Sequence, residues 1–232
     1  MIMQNPYFGT YVIAFIFMLI GWVVQGQLRR KFKEYSEIPL SAGLTGKEVA
    51  EKMLRANSIN DVKVMSVEGH LTDHYNPLKK TLNLSPEVYN GNNAAAAAVA
   101  AHECGHAVQH ATAYAWLQLR STLVPVVSFT SNIVQWILFA GIILINTYPN
   151  LLLIGIIMFA TIALFSLITL PVEFDASRRG LAWLESSGIT SSLEQQKAKD
   201  ALWWAAMTYV VSALATLSTL FYYVMIYMRR RD

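Results

Sequence analysis

Residues 93–111 read NAAAAAVAAHECGHAVQHA. The alanine run is the strongest helix-forming composition available. Inside it His102, Glu103 and His106 form an H-E-x-x-H pattern. Residues four apart on a helix share one face, with Cβ atoms about 5–6 Å apart, so two imidazoles there converge on one Zn²⁺ ion. Glu103 sits one step round from His102, where its carboxylate reaches a water at the metal without being a ligand. Two ligands and a general base on one rigid helix are the mechanical content of the pattern. Cys104 and Gly105 are small and are expected to leave space close to the metal. The plainer alternative is two surface histidines on an ordinary helix; the alanine-rich setting favours the metal.

Working outward, the chain around this helix is unusually apolar. Of its 232 residues 54% are hydrophobic, and the mean hydropathy is +0.37. Several runs approach the length of about 20 residues that crosses a bilayer. The expected class is an integral membrane protein, mainly α-helical, with about four transmembrane helices and a small α+β soluble part containing a β-hairpin. No long basic tract is interleaved with aromatics, which argues against nucleic acid as a partner. The lone cysteine, Cys104, rules out an intrachain disulfide framework and fits a reducing compartment.

Upstream, Tyr7 to Val24 is an apolar run followed by Arg29, Arg30, Lys31 and Lys33. A signal peptide carries its charge before the apolar core; here the charge follows, so an uncleaved first span is expected. Thr45 and Glu48 form a capping box that opens a helix to about Ala56. Val62 to Val67 alternates and reads as a strand. Leu71 to Tyr75 and Lys80 to Leu84, joined by the turn at Asn76-Pro77-Leu78-Lys79, read as a hairpin leading straight into the metal helix.

Downstream, that helix is expected to continue through Tyr114 and Trp116. Val124 to Ile145 and Leu151 to Leu170 make a pair of spans around an uncharged turn at 146–150. Pro171 is expected to end the third span and to start a helix that Gly188 stops. Ser191 and Glu194 form a second capping box, opening a last helix to about Met228. The implied divisions are 1–27, 28–121, 122–170, 171–202 and 203–232. Most of the 18 Lys and Arg lie in 25–123 and 171–205, which places those segments and the metal helix in the cytoplasm and the N-terminus outside. The terminal Arg229, Arg230 and Arg231 run against that rule.

A catalytic zinc takes three protein ligands and keeps one open position. His110 is about 12 Å from His102 along the helix axis, too far to share an ion, and a metzincin histidine would stand where Thr112 does. The third ligand is therefore expected from elsewhere. Glu173 would complete a His₂Glu set, with Ser177 on the same helix face; the competing role for Glu173 is to favour the dipole of its own helix. Arg178 and Arg179 read as a basic flank. His70 or His74 on the hairpin could donate to an oxyanion. The strand Lys80, Thr81, Leu82, Asn83 and Leu84 could align an extended peptide by main-chain hydrogen bonds.

Three stretches, LTDHYNPLKKTLNLSPEVY, AAHECGHAVQH and LPVEFDASRRG, occur in that order with spans between them. In this the chain resembles the YugP-type membrane zinc metallopeptidases of bacteria. It is more distantly similar to the HtpX-like and CAAX prenyl-protease gluzincins, which also place a transmembrane hairpin between the H-E-x-x-H helix and a glutamate ligand in E-x-x-x-D. The resemblance implies a gluzincin-like soluble part and Glu173 as the third ligand. Ser177 stands where that group has its aspartate, a departure. The implied function is a zinc-dependent endopeptidase in a bacterial plasma membrane, with one Zn²⁺ per chain, Glu103 as general base, and a membrane-associated protein or peptide as substrate. A zinc-binding membrane scaffold without catalysis is the alternative, and it has no use for Glu103. A transporter fits less well, since the spans hold few charges.

Overall fold

The computed structural model describes residues 6–69 and 72–229. The elements are α1 (Pro6–Ser36), α2 (Gly46–Ala56), β1 (Lys63–Ser66), β2 (His74–Asn76), β3 (Thr81–Leu84), α3 (Pro86–Asn90), α4 (Ala94–Ala111), α5 (Ala115–Ile143), α6 (Pro149–Ser186) and α7 (Ser192–Arg229). The protein is mostly helical, and α1, α5, α6 and α7 are long and apolar enough to cross a membrane. Two compact units divide it. One holds the described part of α1 to Val23, Leu119–Leu170 and the described chain from Thr208; the other holds Val24–Gln118 and Pro171–Met207.

The second unit is built on α4. Its alanines are core as well as helix formers: Ala97, Ala98, Ala100 and Ala101 are buried with Val49, Ala50, Met53 and Leu54 of α2. Small side chains let α2 lie close, and the Cys104 thiol donates to the Ala50 carbonyl at 3.5 Å. Thr45 and Glu48 cap α2 reciprocally, satisfying N–H groups that the first turn leaves over. Ser191 and Glu194 do the same for α7, and Glu194 also accepts from the Ser41 N–H and hydroxyl at 2.8 and 2.5 Å. The three strands are ordered β1-β3-β2. β3 runs parallel to β1 and antiparallel to β2.

In the first unit, Val134, Leu138 and Ile142 of α5 pack with Leu152 and Ile156 of α6 and Tyr223 of α7.

Three expectations change. The hairpin does not run straight into the metal helix: α3 intervenes, and α4 starts afresh at Asn93, whose side chain accepts from the Ala96 N–H. The metal helix does not continue through Tyr114 and Trp116. It stops at Ala111, with Ala113 at a φ of 50° before α5 begins. Pro171 neither ends nor begins a helix: α6 passes through it. Proline removes one N–H from the ladder, and membrane helices tolerate that loss where local adjustment re-satisfies the freed carbonyl. Gly188, at a φ of 65°, follows the end of α6, where left-handed backbone suits glycine.

Candidate metal centre

His102 and His106 stand one turn apart on α4, their rings edge to face with centroids 4.8 Å apart. α6 brings Glu173 to them because the two helices touch backbone to backbone. A Cβ on Gly105 would lie 2.4 Å from the Ala176 carbonyl oxygen, and one on Gly180 would lie 2.8 Å from the Ala101 carbonyl. Only glycine permits so close an approach at both points. The space expected beside the metal at Gly105 is thus filled by the α6 backbone, and Cys104 faces α2. Burial, with the Glu103 charge added, pushes the Cys104 thiol well above its ordinary pKa.

The Glu173 Oε2 lies 3.4 Å from His102 Nε2 and 3.6 Å from His106 Nε2. The three candidate ligand atoms fall within 4.8 Å of one another. Tetrahedral zinc at about 2.0–2.2 Å from each ligand sets ligand atoms about 3.3–3.6 Å apart; both Glu173–histidine distances match that spacing, and the donor set fits the ion. Glu173 is 3% exposed, and a carboxylate so buried needs a cation or strong donors against it. The pocket is electronegative. Burial alone would depress the His106 imidazole, yet Glu173 and Glu103 hold it above its ordinary value.

Each imidazole is turned by its other nitrogen. His102 Nδ1 is 3.0 Å from Ser177 Oγ, and His106 Nδ1 is 3.1 Å from Gln109 Oε1. An amide oxygen only accepts, which assigns the proton of His106 to Nδ1 and leaves the Nε2 lone pair on the metal side. Gln109 is fully buried. Its Nε2 donates to the Val172 carbonyl at 2.8 Å and to Asp175 Oδ2 at 3.0 Å. Asp175 in turn accepts from Arg178, and from Arg179 Nε at 2.5 Å. Ser177, at the position where the resemblance has an aspartate, therefore holds a histidine. Gln109 and Asp175 were not singled out from sequence. The signal available was the spacing of Gln109, three beyond His106 and on the same face.

Glu103 Oε2 accepts the Tyr75 backbone N–H at 3.0 Å, which ties β2 to the metal helix. A second tie joins the Tyr75 hydroxyl to His110 Nδ1 at 2.9 Å, and His110 is absent from the ligand cluster. His74 has Nδ1 2.7 Å from the Thr72 carbonyl and Nε2 3.1 Å from Asn83 Nδ2. With Nδ1 donating and Nε2 accepting, His74 has no N–H left for an oxyanion. His70 lies outside the described residues. Lys80 precedes β3, and Thr81, Leu82 and Asn83 pair with neighbours on both sides while Leu84 pairs with β1. The expected substrate-aligning strand is thus the centre of the sheet. Strand addition needs an open edge, and that edge is β2 or β1. Asp73, beside the hairpin, accepts from the Ser85 N–H and hydroxyl at 2.7 and 3.2 Å. Burial raises its carboxyl, outweighing those bonds, and the nearby Glu103 charge adds to the rise.

Residues 10–228 match a family described as "Putative neutral zinc metallopeptidase". The chain is 41% identical over 226 residues to a protein of Bacillus subtilis (strain 168) named "Putative membrane protease YugP", covering 95% of this chain and 99% of that one. No solved structure matches the chain.

Proposed function

The chain belongs to the neutral zinc metallopeptidase family, and from that premise we propose that it is a membrane-embedded endopeptidase of gluzincin type. It cuts membrane or misfolded proteins at the cytoplasmic face of a bacterial plasma membrane. The observation that carries this is the convergence of His102, His106 and Glu173 beside a glutamate on the same helix. His102, His106 and Glu173 would hold the zinc, one ion per chain.

When bound, zinc supplies Lewis acidity, bringing a water's pKa toward neutrality and polarising the scissile carbonyl. The chain's own residues do the rest. Glu103 accepts the proton of the attacking water and returns it to the leaving amine. The Tyr75 N–H on Oε2 fixes the rotamer of Glu103 and leaves Oε1 for the proton. Ser177 and Gln109 keep both imidazoles turned with Nε2 inward. The distribution of Lys and Arg supports the cytoplasmic placement of 25–123 and 171–205, with the N-terminus outside.

The test is Glu103→Gln in the full chain. Zinc content should stay near that of wild type, while cleavage of an unfolded protein substrate falls by about 10²–10⁴-fold, the worth of a positioned proton acceptor. Undiminished cleavage in that variant removes Glu103 from the role. In cells, a Glu103→Gln strain that behaves as wild type while a deletion strain does not would favour a zinc-holding scaffold.

A further inference from the structure

A chamber of about 860 Å³, lined in part by Ser177, lies within the unit formed by Val24–Gln118 and Pro171–Met207. Its wall comes from the end of α1, from α6 beyond Pro171 and from the start of α7. The lining combines apolar Phe174, Leu181, Leu202 and Trp203 with the cations Lys31, Arg178, Lys197 and Lys199 and the two carboxylates Glu185 and Asp200. Part of that charge is answered locally. Lys31 lies 3.2 Å from Asp200 and Lys197 lies 3.7 Å from Glu34. Arg178 shares Asp175 with Arg179, so one carboxylate faces two guanidiniums. The net lining is cationic.

We propose that this chamber binds an anionic phospholipid, with the phosphate among the cations and the first part of the acyl chains against Phe174 and Trp203. Three observations favour that occupant. The volume suits a headgroup and glycerol rather than a whole lipid, within the range of about 300–1,000 Å³ usual for ligand sites. Phe174 and Trp203 are 38% and 54% exposed, and a water-soluble anion would have no use for them. The chamber also follows directly on lipid-length apolar sequence. Phe174 is about 6 Å along α6 from the end of the run at Leu170, and Lys31 is about 10 Å along α1 from Val24. Headgroups lie at that depth, where tryptophan and basic side chains gather, and basic pockets between membrane helices take anionic headgroups. Ser177 lines the same chamber while holding His102, so the bound lipid sits one hydrogen bond from a metal ligand.

The test uses the full chain in neutral detergent, titrated with short-chain phosphatidylglycerol and with phosphatidylcholine of the same acyl chains, and read by native mass spectrometry. sn-Glycerol 1-phosphate serves as the soluble anion. The expected result is one saturable phosphatidylglycerol site, at least tenfold tighter than phosphatidylcholine and tighter than glycerol phosphate by more than that. This binding should be unaffected by the Glu103→Gln substitution, which separates it from the peptidase proposal. Lys197→Gln with Lys199→Gln should reduce the preference below threefold at unchanged zinc content and helicity. Lys199→Gln alone, on an exposed position, covers the case in which the double variant misfolds and should lower the preference at least threefold. Equal binding of the two lipids, equal binding of glycerol phosphate, or an undiminished preference in the variants would each overturn the proposal.

Discussion

Gln109 is the residue whose importance outruns its chemistry. It never touches the metal, yet its oxygen fixes the His106 ring and its nitrogen is anchored on Val172 and Asp175. Gln109→Leu keeps the volume and removes all three bonds. The His106 ring then loses its stop and leaves a buried N–H unsatisfied, which costs more than the bond itself contributed. Zinc affinity should fall by about 10–100-fold, as for other residues that orient metal ligands. Competition with a chromophoric chelator measures it, and an unchanged affinity would show that packing alone holds the ring. His106→Ala, by contrast, should leave no measurable zinc at micromolar metal.

At the scale of elements, the contact between α4 and α6 decides whether the three ligands meet. In an exposed helix, glycine to alanine gains about 1 kcal/mol. At Gly180 the sign should reverse, because the new methyl would lie 2.8 Å from the Ala101 carbonyl. Gly180→Ala should cost about 1–3 kcal/mol, as overpacking does, and zinc affinity should fall with it as Glu173 withdraws. Thermal melting and zinc titration of one preparation test both halves. The same contact explains what could be read in advance. Capping boxes at Thr45 and Ser191 and the histidine spacing on α4 were legible because each is a local pattern that its own few residues satisfy. The passage of α6 through Pro171, the restart at Asn93 and the central place of β3 were not, since each depends on a partner elsewhere in the chain. Glu173 stands between: spacing left two roles open, and the approach at Gly105 and Gly180 selects the one at the histidines.

For the whole molecule, an ion held by His102, His106 and Glu173 would be a cross-link between stretches far apart in sequence. A metal that binds the folded chain and not the unfolded one adds about 2.7 kcal/mol when free zinc is 100 times its dissociation constant. Chelation should therefore lower the midpoint of thermal unfolding by several degrees, and added zinc should restore it. The Glu103→Gln protein should behave alike, and His106→Ala should show no response. The same separation also sets a clock during synthesis. The two imidazoles leave the ribosome about seventy residues ahead of the carboxylate, and at about 5–20 residues per second that is an interval of several seconds. Throughout it the nascent polypeptide carries only two of the three candidate ligands. On the proposed function, hydrolytic power would arrive only after α5 and the apolar part of α6 up to Leu170 have been made.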